Sequence, residues 1–308
     1  MDRYTEGVLL AVNAVSDARL LLPGRRTEFD KFMKRHAKHD WTTTLGSRAG
    51  KDGMELPAGR GDRLAGYAAV LETLAQTLDL SGAAPRADSI AVVGAWMDRN
   101  EGDGTGNAAE LGRICRALGL EPVSVWLSGG TLEELRRARE AGIVVGLPYG
   151  KKAAAVLAKR LGATLVQTQL PVGLAHTQAF VRALARVCRR QKEAEAFIDA
   201  ELKRIIPRLE WVVPYSFLSK SVFYAGDKHV YNGLGQMLDE LGMRLDGDGT
   251  DLVIADSETL SRLKPRGAWM ELGYPSVRTH FLREEPFLGF EGYLSLVHRM
   301  SNAIAGCC

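Results

Sequence analysis

Cysteine is scarce in this chain. The 308 residues hold four, at positions 115, 188, 307 and 308, with no CxxC pair among them. That spacing gives neither a disulfide framework nor a zinc-type motif. Residues 1–87 contain none. Long apolar runs are also missing: no stretch reaches the roughly 18 residues that span a membrane, and the N-terminus lacks a basic segment followed by an apolar one, so the expected location is the cytoplasm. Charge of one sign is not in excess either. A formal net charge of +3 is too small to imply nucleic acid or a membrane surface as a partner. The GxGxxG and Walker A patterns are both absent, which removes the usual fingerprints of dinucleotide and P-loop nucleotide binding.

What is present is an ordinary globular composition, 46% hydrophobic and 25% charged, with enough apolar sequence for a large core. The most informative stretch is Ser89 to Gly173. Ser89-Ile-Ala-Val-Val-Gly-Ala-Trp-Met-Asp98 is a β-branched apolar run ending in polar sequence, as a buried parallel strand and its C-terminal loop read. Pro122 to Leu127, Ile143 to Leu147 and Thr164 to Gln167 repeat the pattern, each behind a helical segment. Leu111, Ile114, Cys115 and Leu118 fall at i, i+3, i+4 and i+7, with Gly119 placed to end that helix. Thr131 and Glu134 form a capping box for the next, which is expected to stop at Gly142. Strands alternating with helices predict an α/β fold with a doubly wound parallel sheet.

Around this core the chain divides, on sequence, into an N-terminal section 1–87, a central Rossmann-like domain 88–208 and a C-terminal Rossmann-like domain 209–308. In the first, Gly7 to Val15 is apolar and Ala18 to Leu22 reads as a short strand ended by Pro23-Gly24. The basic, His-containing segment Phe29 to Trp41 reads as a solvated helix face or an anion or metal cluster. Gly46 to Gly61 reads as loop, Asp62 to Leu80 as an amphipathic helix and Ser81 to Asp88 as a linker. Leu174 to Leu209 is expected to be one long helix with a charged outer face. Val222 to Ala225, then Val230 to Leu241, then Asp251 to Asp256 restart the strand and helix alternation, and a helix over Gly292 to Ala305 closes the chain.

Particular blocks within this pattern carry a resemblance. In the central domain they are Asn107 to Gly119, Val125-Trp-Leu-Ser-Gly-Gly-Thr131, Val145-Gly-Leu-Pro-Tyr-Gly-Lys-Lys-Ala-Ala154 and Leu170-Pro-Val-Gly-Leu174. Further on are Phe223-Tyr-Ala-Gly-Asp227, Gly233-Leu-Gly235 and Leu238-Asp-Glu-Leu-Gly242. The tail adds Glu271-Leu-Gly-Tyr-Pro-Ser276, Pro286-Phe-Leu-Gly-Phe-Glu-Gly292 and His298-Arg-Met-Ser-Asn302. In order and spacing, the chain resembles the nitrogenase component 1 family. Gly7 to Ala14 and Asp17 to Gly24 resemble that family's N-terminal strand and loop.

The resemblance implies stacked Rossmann-like units, an oligomer with a component 1-like paralogue, and an ATP-dependent iron-sulfur reductase as electron donor. It also implies an interface iron-sulfur cluster held by N-terminal cysteines, because soft anionic sulfur suits such clusters. Here the corresponding loop, Pro23-Gly24-Arg25-Arg26, has no cysteine, and the first domain is expected to be shortened. The family's cofactor cysteine corresponds to about Gly146. Its histidine corresponds to Thr279, with His280 one place away as the single weak candidate for a metal ligand. No cofactor is therefore assigned to this chain alone; a cluster would be shared with a partner.

Ligands of open α/β sheets bind beyond the C-terminal strand ends, at a switch point. The candidate binding residues there are Trp96, Asp98, Arg99, Asn100 and Glu101, then Ser128 and Gly129, then Tyr149, Gly150 and Lys151. In the last group a helix N-terminus and lysines would suit an anion, or form only a tight turn. From the C-terminal domain come Asp227 and His229, facing the same cleft if the domains stack in the family manner, with His280. No catalytic residue is assigned. Two functions follow: an oxidoreductase subunit that receives electrons to reduce a substrate held between domains, or a non-redox relative that carries a cofactor or tetrapyrrole or scaffolds a catalytic partner.

Overall fold

The computed structural model of the protein describes residues 3–13, 62–95, 101–245 and 251–306. The segments expected at 18–22, 29–41 and 46–61 lie outside the described residues. The chain folds as two units, one drawn from Met1–Asn100 and Leu120–Gln167, the other from Glu101–Gly119 and Thr168–Cys308.

The first unit opens with helices α1 (Arg3–Asn13) and α2 (Arg63–Thr77) and then enters strand β1 (Arg86–Val93). The next helix in sequence, α3 (Gly102–Ala117), belongs to the second unit. The chain returns as β2 (Glu121–Val125), α4 (Leu132–Arg136), β3 (Ala141–Gly146), α5 (Lys151–Leu161) and β4 (Thr164–Gln167). These strands form a four-stranded sheet in the order β2-β1-β3-β4, every pair parallel. Ile90, Ala91, Val92 and Val93 on β1 are fully buried, as an interior strand flanked by neighbours on both sides requires.

Local chemistry sets the boundaries. Asp62 caps α2 through the Ala65 amide at 2.8 Å. Thr131 and Glu134 form the expected reciprocal box at the start of α4. That helix ends sooner than expected, passing at Arg137 into a 3-10 turn that runs to Glu140 before β3 begins. Gly162, in the left-handed region at φ 64°, ends α5, and the guanidinium of Arg160 in its last turn donates to the carbonyls of Ala75 and Leu78 at 2.7 and 2.9 Å. Those carbonyls lie at the end of α2, where a cation satisfies acceptors that have no intrahelical partner.

The N-terminal apolar run corrects an expectation: it is helical, not a strand. Tyr4, Val8 and Ala11 are among its buried residues, at helical spacing, so the run satisfies a 3.6-residue period. Glycine decides how α1 packs on α2. A Cβ on Gly7 would lie 1.8 Å from the carbonyl oxygen of Arg63, and one on Gly66 would lie 2.0 Å from that of Tyr4. Each helix therefore presents a bare Cα to the other's backbone.

The second unit contains α6 (Gly173–Cys188), α7 (Gln191–Leu209), β5 (Ser221–Ala225), α8 (Lys228–Glu240), β6 (Arg244–Leu245), β7 (Leu252–Ala255), α9 (Ser257–Leu263), β8 (Ala268–Glu271) and α10 (Gly289–Ala305), together with α3. Its sheet runs β6-β5-β7-β8, again all parallel. The stretch expected as one helix over 174–209 is two, because Arg189 turns left-handed at φ 56° and ends α6. Arg182 and Glu195 then pair across the resulting hairpin at 2.7 Å. Phe180, Phe217, Phe290 and Tyr293 are the largest aromatic side chains in this unit's core. Among the described residues, no helix is long and apolar enough to cross a membrane.

Gly66→Ala is expected to destabilise the protein by about 1–3 kcal/mol despite alanine's better helix propensity, because the new methyl meets backbone. Gly235→Ala in α8, whose nearest neighbour is a leucine methyl at 3.4 Å, is expected to be neutral or stabilising. Urea denaturation of the two variants checks the contrast.

Candidate functional site

In both sheets the connection after the first strand moves one way and the next connection crosses back, so each has a switch point, between β1 and β3 in one and between β5 and β7 in the other. At the first, the segments beyond β1 and β3 meet backbone to backbone. A Cβ on Gly94, whose φ is 92°, would lie 2.2 Å from the amide nitrogen of Gly150. That amide already donates to the carbonyl of Leu147 at 2.9 Å. Tyr149 and Gly150 are buried, Lys151 is half-buried and Lys152 is exposed. Beyond β2, Ser128 spends its hydroxyl on the carbonyl of Val125 at 2.7 Å, and Gly129 takes a φ of 89°. Trp96, Asp98, Arg99 and Asn100 lie outside the described residues.

At the second switch point, two aspartates occupy the helix starts. Asp227 accepts from the amide of His229 at 2.7 Å at the start of α8. Asp256 accepts from Glu258 and Thr259, both at 2.9 Å, at the start of α9. These helix ends already hold an anion, which leaves them unsuited to receiving another. The Tyr224 hydroxyl donates to the carbonyl of Asp227 at 3.2 Å. Burial first, then the nearby carboxylates of Asp227 and Asp256, pushes that phenol well above its usual range.

Glu271, at the end of β8 and 2% exposed, organises the loop beyond the sheet. It accepts from the Ser257 hydroxyl and from the amides of Val277, Arg278 and Thr279, at 3.1, 3.1 and 2.7 Å. Next along the loop, His280 is brought to Glu101. The His280 Nδ1 lies 3.0 Å from one carboxylate oxygen of Glu101, and the other oxygen accepts the Phe281 amide at 3.0 Å. A neutral ring donating from Nδ1 carries its lone pair on Nε2. With its side chain 63% exposed, the ring has a carboxylate-fixed side and an outward one, the arrangement by which a carboxylate orients a ligating or proton-accepting histidine.

Glu101 begins a larger clasp along α3. Gly102 donates its amide to Phe281 and accepts from Glu285, both at 3.0 Å. A side chain at Gly102 would strike the Arg283 carbonyl, which stands 1.7 Å from a notional Cβ. The Asn107 side-chain oxygen accepts from the amides of Phe287 and Leu288, at 2.9 and 3.0 Å. Glu110, one turn further, accepts from Phe290 and Glu291 at 2.9 and 3.2 Å and so caps α10 in place of a local residue. The same carboxylate pairs with Arg113 at 2.6 Å, and Arg113 with Glu201 at 2.6 Å. Burial raises the Glu201 carboxyl, but hydrogen bonds from Arg113 and Arg204 outweigh it and hold the group below the ordinary carboxylate range.

Sequence reasoning missed Glu110 and Glu271 as site-building residues. Both lie in blocks that carry the family resemblance, and the three-residue spacing of Asn107 and Glu110, which puts them on one helix face, was the signal available for the first. Neither described cysteine turns its sulfur toward the candidate site residues. Cys115 is fully buried, and burial pushes its thiol up to about 12. The half-buried Cys188 donates its thiol to the carbonyl of Leu184 in its own helix at 3.3 Å. Among the described residues, no group of three or more histidine, cysteine or carboxylate side chains could hold a metal ion.

Glu110→Ala strips the cap from α10 and leaves Arg113 short of a partner, with an expected cost of about 3 kcal/mol in urea denaturation. Glu195→Ala, at the exposed pair with Arg182, is expected to cost about 1 kcal/mol or less. Glu271→Gln should weaken the loop's hold by about 1.5 kcal/mol. Amide hydrogen exchange at 277–279 would then quicken by about tenfold, while exchange in β1 stays unchanged.

Comparison with known proteins places this architecture. No curated protein matches the chain in sequence. Among solved structures, nitrogenase Cp1 at pH 6.5 is similar with a TM-score of 0.67 at 16% identity, over 89% of this chain and 74% of that one. Nitrogenase Cp1 at pH 5 is similar with a TM-score of 0.57 at 14% identity, over 80% of this chain and 62% of the other. Identities this low speak to fold alone. The family model described as nitrogenase component 1 type oxidoreductase matches residues 54–251, more than half of the sequence, and the chain therefore belongs to the nitrogenase component 1 type oxidoreductase family.

Proposed function

We propose that the chain is an oxidoreductase subunit of the component 1 type, working in an assembly with a paralogous chain and taking electrons from an ATP-dependent iron-sulfur reductase. The observation that supports this reading is the family match over residues 54–251. The described cysteines of the chain do not fit a cluster of its own. Cys115 is a buried, protonated thiol and Cys188 is turned onto its helix backbone, whereas clusters are held by thiolates. In this reading the thiolates come from the partner.

The role left to this chain is binding and orientation. Glu101 fixes His280 with Nε2 outward, where it accepts a proton from or ligates a bound group, while the Glu271 clasp holds the loop backbone still. Asp227 and His229 at the start of α8 are proposed ligand contacts on the second unit, and Ser128, Gly129, Tyr149, Gly150 and Lys151 beyond β2 and β3 are proposed ligand contacts on the first. The placement of the cysteines favours a second reading, a non-redox carrier of a cofactor or tetrapyrrole, or a scaffold for a catalytic pair.

Anaerobic purification with iron-sulfur reconstitution separates the two. The chain is prepared alone and with a co-encoded homologue, and iron, acid-labile sulfide and the visible spectrum are recorded. About four irons per assembly only in the joint preparation is the expected result. Colourless, iron-free protein in both sinks the redox reading and leaves the carrier or scaffold.

A further inference from the structure

The hairpin of α6 and α7 concentrates positive charge. From Arg186 to Glu193 the chain carries four cations against one anion, a net +3 in eight residues and as large as the formal charge of all 308. None of Arg186, Arg189, Arg190 and Lys192 pairs with a carboxylate of any described residue. Arg190 is spent on α3: its Nη1 would lie 2.2 Å from a Cβ on Gly119, just beyond that helix, where the negative end of the helix dipole attracts a cation. The other three are open to solvent.

A cavity of about 390 Å³ lies between the two helices, within the roughly 300–1,000 Å³ of ligand pockets. Four alanines line it, among them Ala185 and Ala194, which are buried, and Ala179, which is exposed. Alanine on both helices is what leaves the space. The polar lining is Arg182, Arg186, Gln191 and Glu195. Arg182 donates from Nε and Nη2 to the two carboxylate oxygens of Glu195, at 2.7 and 2.9 Å, so that pair is neutral. The charge of Arg186 is left unmatched at the same space, beside the Gln191 amide. Gln191 also opens α7, whose first turn no side chain caps, and the helix's N-terminal amides add a partial positive charge. A cleft of one sign focuses counter-charge, and a guanidinium meets phosphate or carboxylate with paired N–H donors.

We propose that this groove binds a small organic anion, with Arg186 and Gln191 holding its phosphate or carboxylate group and the alanines packing on its apolar body. Neither the redox nor the carrier reading is needed for it. Isothermal titration of the full chain at about 0.15 M salt, where long-range attraction is screened, tests it with phenyl phosphate, benzoate, inorganic phosphate and benzyl alcohol. Phenyl phosphate or benzoate is expected to bind about tenfold or more tighter than inorganic phosphate, and benzyl alcohol not at all. The tighter of the first two identifies the charged group. Arg186→Gln should weaken that binding by about tenfold or more. Glu195→Gln, which releases Arg182, should tighten it. Ala179→Leu should weaken the organic anion and leave inorganic phosphate unchanged, since only the apolar body is displaced. Arg208→Gln, at an exposed cation near the far end of α7, should change nothing, and circular dichroism checks that each variant folds. No binding of either organic anion at millimolar concentration, or binding indifferent to Arg186→Gln, overturns the inference. Binding weakened as much by Arg208→Gln, or no tighter for the organic anions than for inorganic phosphate, marks general surface charge and overturns it too.

Discussion

A buried carboxylate on α3 holds the last segment of the second unit in place. Glu110 is 3% exposed, so it must be met by protein donors, and these are the amides at the start of α10 and the guanidinium of Arg113. That arrangement works only if 280–291 lies along α3. Asn107 and the bare backbone of Gly102 enforce the same alignment. A helix lying between two strands of the first sheet in sequence thus spends its polar side chains on the final stretch of the second unit. The pairs span about 180 residues of sequence, a separation that costs loop entropy and is offset by several charge-assisted hydrogen bonds at once.

Glu271 applies the same physics at the end of the second sheet. Loops beyond parallel strands have to satisfy their amides without a ladder, and a single carboxylate with lone pairs to spare can gather several of them. The result is a loop whose backbone is fixed from inside while His280 stays open to solvent.

The two sheets share one strand order, yet their switch points are furnished differently. Beyond β1 and β3 the main chains touch at Gly94 and Gly150. Beyond β5 and β7, aspartates cap the helices. Neither cysteine in the described residues is placed where a soft metal would find a thiolate: one is sealed in apolar packing and the other bonds its own helix. Family membership and the placement of the described cysteines therefore pull apart in this chain.

The sequence by itself determined the α/β class, the parallel strands, most helix boundaries and the family, because these rest on periodicity, β-branched runs, caps and block order, all local along the chain. Tertiary structure decided the rest. The N-terminal apolar run suits strand or helix by composition, and only the bare contact of Gly7 and Gly66 with the neighbouring backbone makes it a helix in place. The stretch 174–209 keeps a helical period throughout, and the turn at Arg189 is set by packing two helices side by side. Asn107, Glu110 and Glu271 are ordinary polar residues in a one-dimensional reading. They acquire a role only when distant amides arrive beside them, because a buried charge takes its meaning from whatever folding brings within hydrogen-bond reach.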